Sequence, residues 1–387
     1  MENTSKLKTN EILRFFASVP LLLVCVVQNL IFPLLYVLLL ILMQPVRLVS
    51  SETFWWVEGM IYDSYLAIVS SWSDQAGHTI LESGDDISKI TDDESLLLLN
   101  HQSPSDIGTI MRCLHGKSFI FSRTIWVMDW LFQFLNFGWV SKCHGDFFLL
   151  QPTDARRLPK WFVGDISKSN ATQQTRLSDC VKNNFWSRNR KWVIVFPEGG
   201  FLSKRRSGSQ RFARKNDLPI LEHVALPRSG AVQCILDTLG VDGKYPGKNG
   251  NSHPPTEDFS NSHLIKWIVD VTIGYNRPIS ILEHIMGHNG PATITVHYRI
   301  FPANEVFKSK GKGDSETNQL TNWLYHLYYE KEKLLSYFYA NGCFPSKSGG
   351  NAPTRTTPLL YTQLFLIHVF GAVGVFFTYC LFYLIFS

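Results

Sequence analysis

Two long apolar runs sit near the ends of the chain, and between them apolar and polar positions alternate at short periods. The first run, Phe15 to Met43, contains no charged residue. A helix needs about 20 apolar residues to cross a bilayer core, so this run predicts a membrane anchor. Pro20 and Pro33 leave two forms open, a straight span or a re-entrant hairpin. The run is too long for a cleaved signal and ends in Gln44-Pro45-Val46-Arg47 rather than a small-residue cleavage site. The second run, Leu359 to Phe386, has Tyr361 and Tyr383 near its ends, where aromatic rings suit the two membrane interfaces. It predicts a second membrane helix.

Residues 51–90 follow the first anchor (1–50) and are rich in aromatics (Phe54, Trp55, Trp56, Trp72), a pattern expected of helices lying at a membrane surface. From 91 to 345 short apolar runs alternate with helical periods. Strands are expected at Ser95–Leu99, Lys117–Phe121, Lys191–Phe196, Asp270–Tyr275 and Thr293–Ile300, and helices at Asp106–Leu114, Ile125–Leu135 and Leu320–Phe338. Strands alternating with helices predict an α/β domain. Residues 241–263, dense in Gly, Pro, Asn and Ser, read as a mobile surface loop within it. Residues 346–387 read as a linker leading into the C-terminal membrane helix.

Composition narrows the function. The 387 residues carry a net charge of +5, too mild to argue for nucleic acid as a partner. The seven Cys are scattered without a Cys-x-x-Cys pair, so neither a disulfide framework nor a zinc site is expected, and a reducing compartment fits.

The sharpest chemical pattern is Asn100-His101-Gln102-Ser103-Pro104-Ser105-Asp106. An apolar strand delivers a His, and Ser103-Pro104 has the form of a helix start. Asp106 would then sit in the first helical turn, within reach of the imidazole. A carboxylate on one ring nitrogen fixes the tautomer and leaves the other nitrogen to take a proton. The competing reading makes Asp106 only the partner of Ser103 in a capping box. A second pattern, Phe196-Pro197-Glu198-Gly199-Gly200-Phe201, follows the strand KWVIVF. Its glycines allow a tight turn whose N–H groups can face an anion. Lys204, Arg205, Arg206, Arg211, Arg214, Lys215 and Arg228 come after it, suited to phosphate or to a solvated face. A third short turn is Leu226-Pro227-Arg228-Ser229-Gly230-Ala231.

Taken in this order, His-x4-Asp, HGDFF (144–148), FPEGGFL (196–202), LPRSGA (226–231) and VHYRIFP (296–302) resemble the glycerolipid and lysophospholipid acyltransferases, from about Trp55 to Phe344. The resemblance implies an acyltransferase domain with a central mixed sheet flanked by helices. It implies His101 as general base and Asp106 as its orienting partner. Gly145, Phe148, Glu198 and Gly199 would help hold the acceptor, and Arg228 would bind substrate. Acyl-CoA would be the co-substrate and a lysophospholipid the acceptor, with no cofactor and no metal. The expected place is the endoplasmic reticulum membrane, crossed more than once, with the catalytic domain facing the cytosol. One departure stands out. The family's second block places an arginine within two or three residues of Gly-x-x-Phe, whereas here Leu149, Leu150 and Gln151 follow, and the nearest arginines are Arg156 and Arg157. Two rival functions are a non-catalytic membrane adaptor of the same fold and a lipid hydrolase. The hydrolase lacks a Gly-x-Ser-x-Gly elbow.

Overall fold

A computed structural model of the chain describes residues 2–118, 120–150, 170–241, 264–307, 316–347, 349–356, 359 and 361–386. Its centre is an eight-stranded sheet in the order β4-β3-β5-β2-β6-β7-β1-β8. The strands are β1 (Thr79–Gly84), β2 (Ser95–Leu99), β3 (Thr124–Asp129), β4 (Phe147–Leu149), β5 (Trp192–Val195), β6 (Trp267–Tyr275), β7 (Thr293–Pro302) and β8 (Thr354–Arg355). β4, β3, β5, β2 and β6 run parallel; β7 turns antiparallel to β6 and carries β1 parallel beside it. The sheet is therefore mixed, as the family resemblance implies.

The middle strands are apolar on both faces because both faces are covered. In β2, Leu97 and Leu99 enter one core and Leu96 and Leu98 the other; in β5, Trp192 and Ile194 oppose Val193 and Val195. Helices α3 (Ser51–Gln75) and α4 (Ser105–Leu114) supply the first core. Helices α6 (Asn170–Asn184), α8 (Gly230–Leu239) and α10 (Glu316–Asn341) supply the second. The remaining helices are α1 (Glu2–Leu42), α2 (Gln44–Val49), α5 (Asn136–His144), α7 (Leu202–Lys215), α9 (Ile281–Met286) and α11 (Tyr361–Phe386).

Several expectations give way. Ile125–Leu135 is not a helix: Thr124–Asp129 is β3, followed by a 3-10 turn over Trp130–Phe134. Thr124, Ile125 and Trp126 are β-branched or aromatic and fill the slot beside β5, and β-branched Val127 pairs with β4. Asp129 then accepts the Leu131 N–H at 3.0 Å and starts the turn. Lys117–Phe121 is no strand either; the chain turns after Gly116 and runs into a 3-10 segment at Ile120–Arg123. Within 51–90, helix α3 buries Tyr62, Leu66, Ile68 and Val69 in the body, and residues 79–84 join the sheet as β1. β6 begins at Trp267, three residues before the expected start. Of the loop expected at 241–263, residues 242–263 lie outside the described residues.

Helix α1 passes through Pro20 and Pro33 as one helix, so the hairpin form is not adopted. Among the described residues, Ile12–Leu42 is the one segment long and apolar enough to cross a membrane; the second apolar run forms a helix, α11, over Tyr361–Phe386.

Candidate active site

β2 and β5 are parallel neighbours, so the chain leaves both at the same edge of the sheet. His101 follows β2, and Phe196-Pro197-Glu198 follows β5. Asn100 fixes the exit point: its side chain exchanges hydrogen bonds with the Ile273 backbone, donating to the carbonyl at 3.1 Å and accepting the N–H at 2.8 Å. His101 Nδ1 then meets Asp106 Oδ2 at 2.9 Å. Asp106 is fully buried, and its oxygens also accept the Ser103 N–H at 3.0 Å and the Tyr275 hydroxyl. A carboxylate accepts only, so Nδ1 carries the proton and Nε2 presents a lone pair. Nε2 has no hydrogen-bond partner among the described residues. The imidazole lies between Phe196 and Phe201, with ring centroids at 4.2 and 4.3 Å, and 12% of its side chain is exposed. A buried carboxylate behind, apolar walls beside and an open nitrogen in front make a proton acceptor at the surface.

Glu198 faces inward, contrary to the expectation that it holds the acceptor. It is buried, and its two oxygens accept the His101 N–H at 2.9 Å and the Ala225 N–H at 3.0 Å. Burial pushes its carboxyl up to about 8, against the pull of those two N–H donors. Its work is to join the His101 loop to the segment before Arg228. Gly199 has φ +69°, a left-handed turn, and a Cβ there would lie 3.4 Å from Arg228 Nη1. The Arg228 N–H donates to Pro197 at 2.8 Å, so the guanidinium lies over the Gly199 turn. Helix α7 starts from the same place, where Leu202 N–H donates to the His101 carbonyl at 2.7 Å. Lys204, Arg206, Arg211, Arg214 and Lys215 point from it into solvent.

The helix expected at Leu320–Phe338 is α10, but sequence reasoning missed its part in bracing the site. Tyr328 donates to the Leu99 carbonyl at 3.0 Å, and Tyr339 to Gln102 at 2.9 Å. Lys331 is fully buried, ion-paired with Asp270, and donates to the carbonyls of Leu98 at 3.2 Å and Val271 at 2.6 Å. The signal was present: Leu327, Lys331 and Leu335 share one helical stripe, and a cation there needs a buried partner.

The Acyltransferase family pattern matches residues 83–238, and the Acyltransferase C-terminus pattern matches residues 285–366. Acyl-CoA:lysophosphatidylglycerol acyltransferase 1 of Homo sapiens is 41% identical over 89% of this chain and 88% of its own length. The chain belongs to the glycerolipid and lysophospholipid acyltransferase family. The Mus musculus protein of the same name is 40% identical over the same shares, and lysocardiolipin acyltransferase 1 of Gallus gallus is 23% identical over 78% and 68%.

In this acyltransferase the described part of the second family block lies away from the histidine. Gly145 and Phe148 lie at β4, three strand spacings from β2, about 14 Å away. Gly145 ends α5 at φ +100°, and a Cβ there would stand 2.6 Å from Arg188 Nη1. Phe148 lines a cavity of about 350 Å³ with Trp130, Lys142 and Arg176, outside the His101 site. His144 is locked into the body: it stacks on Tyr62 at 3.4 Å and bonds Glu58 at 2.7 Å. Burial and the neighbouring Arg190 push it down to about 4, so it stays neutral at pH 7. The described residues of the block therefore pack at the sheet edge. Gln151, Arg156 and Arg157, where the family's arginine would be sought, lie outside the described residues.

Proposed function

We propose that this acyltransferase moves a fatty acyl chain from acyl-CoA to the free hydroxyl of a lysophospholipid, with His101 as general base. One observation carries the reading: Nδ1 is committed to Asp106 at 2.9 Å while Nε2 has no hydrogen-bond partner among the described residues and the side chain is partly exposed. The acceptor hydroxyl attacks the thioester carbonyl as Nε2 takes its proton. The carbon–sulfur bond then breaks, and the imidazolium returns the proton to the thiolate, releasing coenzyme A. Asp106 stabilises the imidazolium between these steps. General-base help of this kind contributes about 10²–10⁴-fold, and holding both substrates in attack geometry contributes more. Direct attack requires neither an acyl-enzyme nor a metal.

Arg228 binds a phosphate, of the acceptor or of coenzyme A, above the Gly199 turn; its planar fork suits two phosphate oxygens. Lysophosphatidylglycerol, lysophosphatidylethanolamine and lysophosphatidylinositol are the acceptors in view, the first supported by the names of the human and mouse relatives. The enzyme works at the cytosolic face of the endoplasmic reticulum, held in its membrane by α1 and α11. Six cysteines without disulfides among the described residues are consistent with that side. The test is coenzyme A release by the purified full chain, with each lysophospholipid in turn. Release should depend on the acceptor and favour one headgroup. Equal release without acceptor would make the protein a thioesterase, and none with any acceptor would make it an adaptor.

A further inference from the structure

Five consecutive backbone N–H groups ahead of Arg228 are held by side chains, and three of the five by one residue. Glu332 Oε1 accepts from Glu222 at 2.8 Å, and Glu332 Oε2 accepts from His223 at 2.9 Å and Val224 at 3.2 Å. Glu198 takes Ala225, and Ser209 takes Leu226 at 2.8 Å. The segment is neither helix nor strand, so these N–H groups have no ladder to satisfy them. A carboxylate is the side chain with enough lone pairs to gather three donors at once. The His223 ring also lies 4.9 Å from Tyr339, itself bonded to Gln102 beside His101. Helix α10 thus grips the strand end that carries His101 and the loop that carries Arg228.

We propose that Glu332 is a positioning residue for Arg228: by fixing Glu222–Val224 it sets where the guanidinium stands over the Gly199 turn. The proposal rests on the reading of Arg228 as a phosphate ligand. It separates substrate binding from the chemical step, because among the described residues Glu332 bonds Glu222, His223 and Val224 and neither His101 nor Asp106. Glu332 is half-buried at the rim rather than in the core, so its replacement leaves the apolar packing in place.

The experiment is a double-mutant cycle on the full chain, with Glu332→Gln, Arg228→Ala and the pair, reading kcat and KM for acyl-CoA and for a lysophospholipid separately. Glu332→Gln keeps one acceptor oxygen and replaces the other with an NH₂, which cannot receive an N–H. It should raise KM for one substrate about fivefold or more, the order expected when hydrogen bonds to a charged group are lost, with kcat changed less than about twofold and thermal unfolding nearly unmoved. Glu332→Ala, which removes every acceptor, should raise the same KM further. In the Arg228→Ala background Glu332→Gln should add nothing. The substrate whose KM moves tells whether the phosphate is that of the acceptor or of coenzyme A. An unchanged KM in Glu332→Gln and Glu332→Ala overturns the proposal while leaving Arg228 as ligand, and so does a full additive effect in the Arg228→Ala background. A neutral Arg228→Ala overturns the phosphate reading itself and the positioning role with it.

Discussion

Asp106 does two jobs that looked like alternatives in the sequence. It accepts the Ser103 N–H at the start of α4 and holds His101 Nδ1 with the same oxygen, Oδ2, while Tyr275 occupies Oδ1. Asp106→Asn tells the jobs apart. An amide oxygen can still cap Ser103, but an amide in place of the carboxylate can leave the imidazole in the wrong tautomer. Transfer should fall by about 10²-fold or more, with thermal unfolding shifted little; near-normal transfer in a well-folded variant would leave Asp106 as a cap alone. His101 and Asp106 were legible because they lie on one turn of chain. Tyr275, 169 residues away, was not, since only the pairing of β2 with β6 brings it to the carboxylate. Glu198 was legible as part of a motif but not as inward-facing. Its direction depends on the Ala225 N–H, which the folded loop supplies.

The apolar helices form where the sequence places them, but their packing was not legible. Period and length marked α1 as a membrane helix, yet said nothing of how it meets the body. Phe15 packs edge-on to His288 at 5.7 Å, Asn136 donates to the Asn29 carbonyl at 2.9 Å, and Tyr36 donates to buried Glu58. From Phe15 to Tyr36 is about 30 Å of helix, so the contact runs along most of the apolar length. On its other side Phe16, Leu23, Val27, Leu30, Leu34 and Ile41 are exposed. Such a helix is a floor of the body rather than a tether. Helix α11 joins it through a polar node: Gln28 bonds His368 at 2.9 Å and accepts from Trp72 at 2.9 Å, while Phe32 and Leu35 close over Gly371 and Gly374. Alkaline carbonate washing should therefore leave the protein in the membrane pellet, and deletion of 361–387 should not release it. Release by high salt would show that basic patches alone hold it to the bilayer.

At the scale of the molecule, β2, β5 and β7 were legible because fully apolar or alternating runs have few other ways to be buried. β3 was not. Its run continues through Trp130, Leu131 and Phe134, and short apolar stretches do not separate strand from helix until a neighbour such as β5 claims them. The parallel order β5-β2-β6 is what turns separate motifs into one site, since it places the ends of two neighbouring strands side by side and lets α10 brace them from one face. In the proposed reaction, Nε2 of His101 takes the proton of the acceptor hydroxyl at this site. The direct measurement is acceptor-dependent coenzyme A release by purified His101→Ala protein beside the unaltered chain, both in the same vesicles. Membrane insertion should be equal and the rate lower by at least about 10²-fold; transfer at a near-normal rate by well-folded His101→Ala protein would contradict a general-base role for His101.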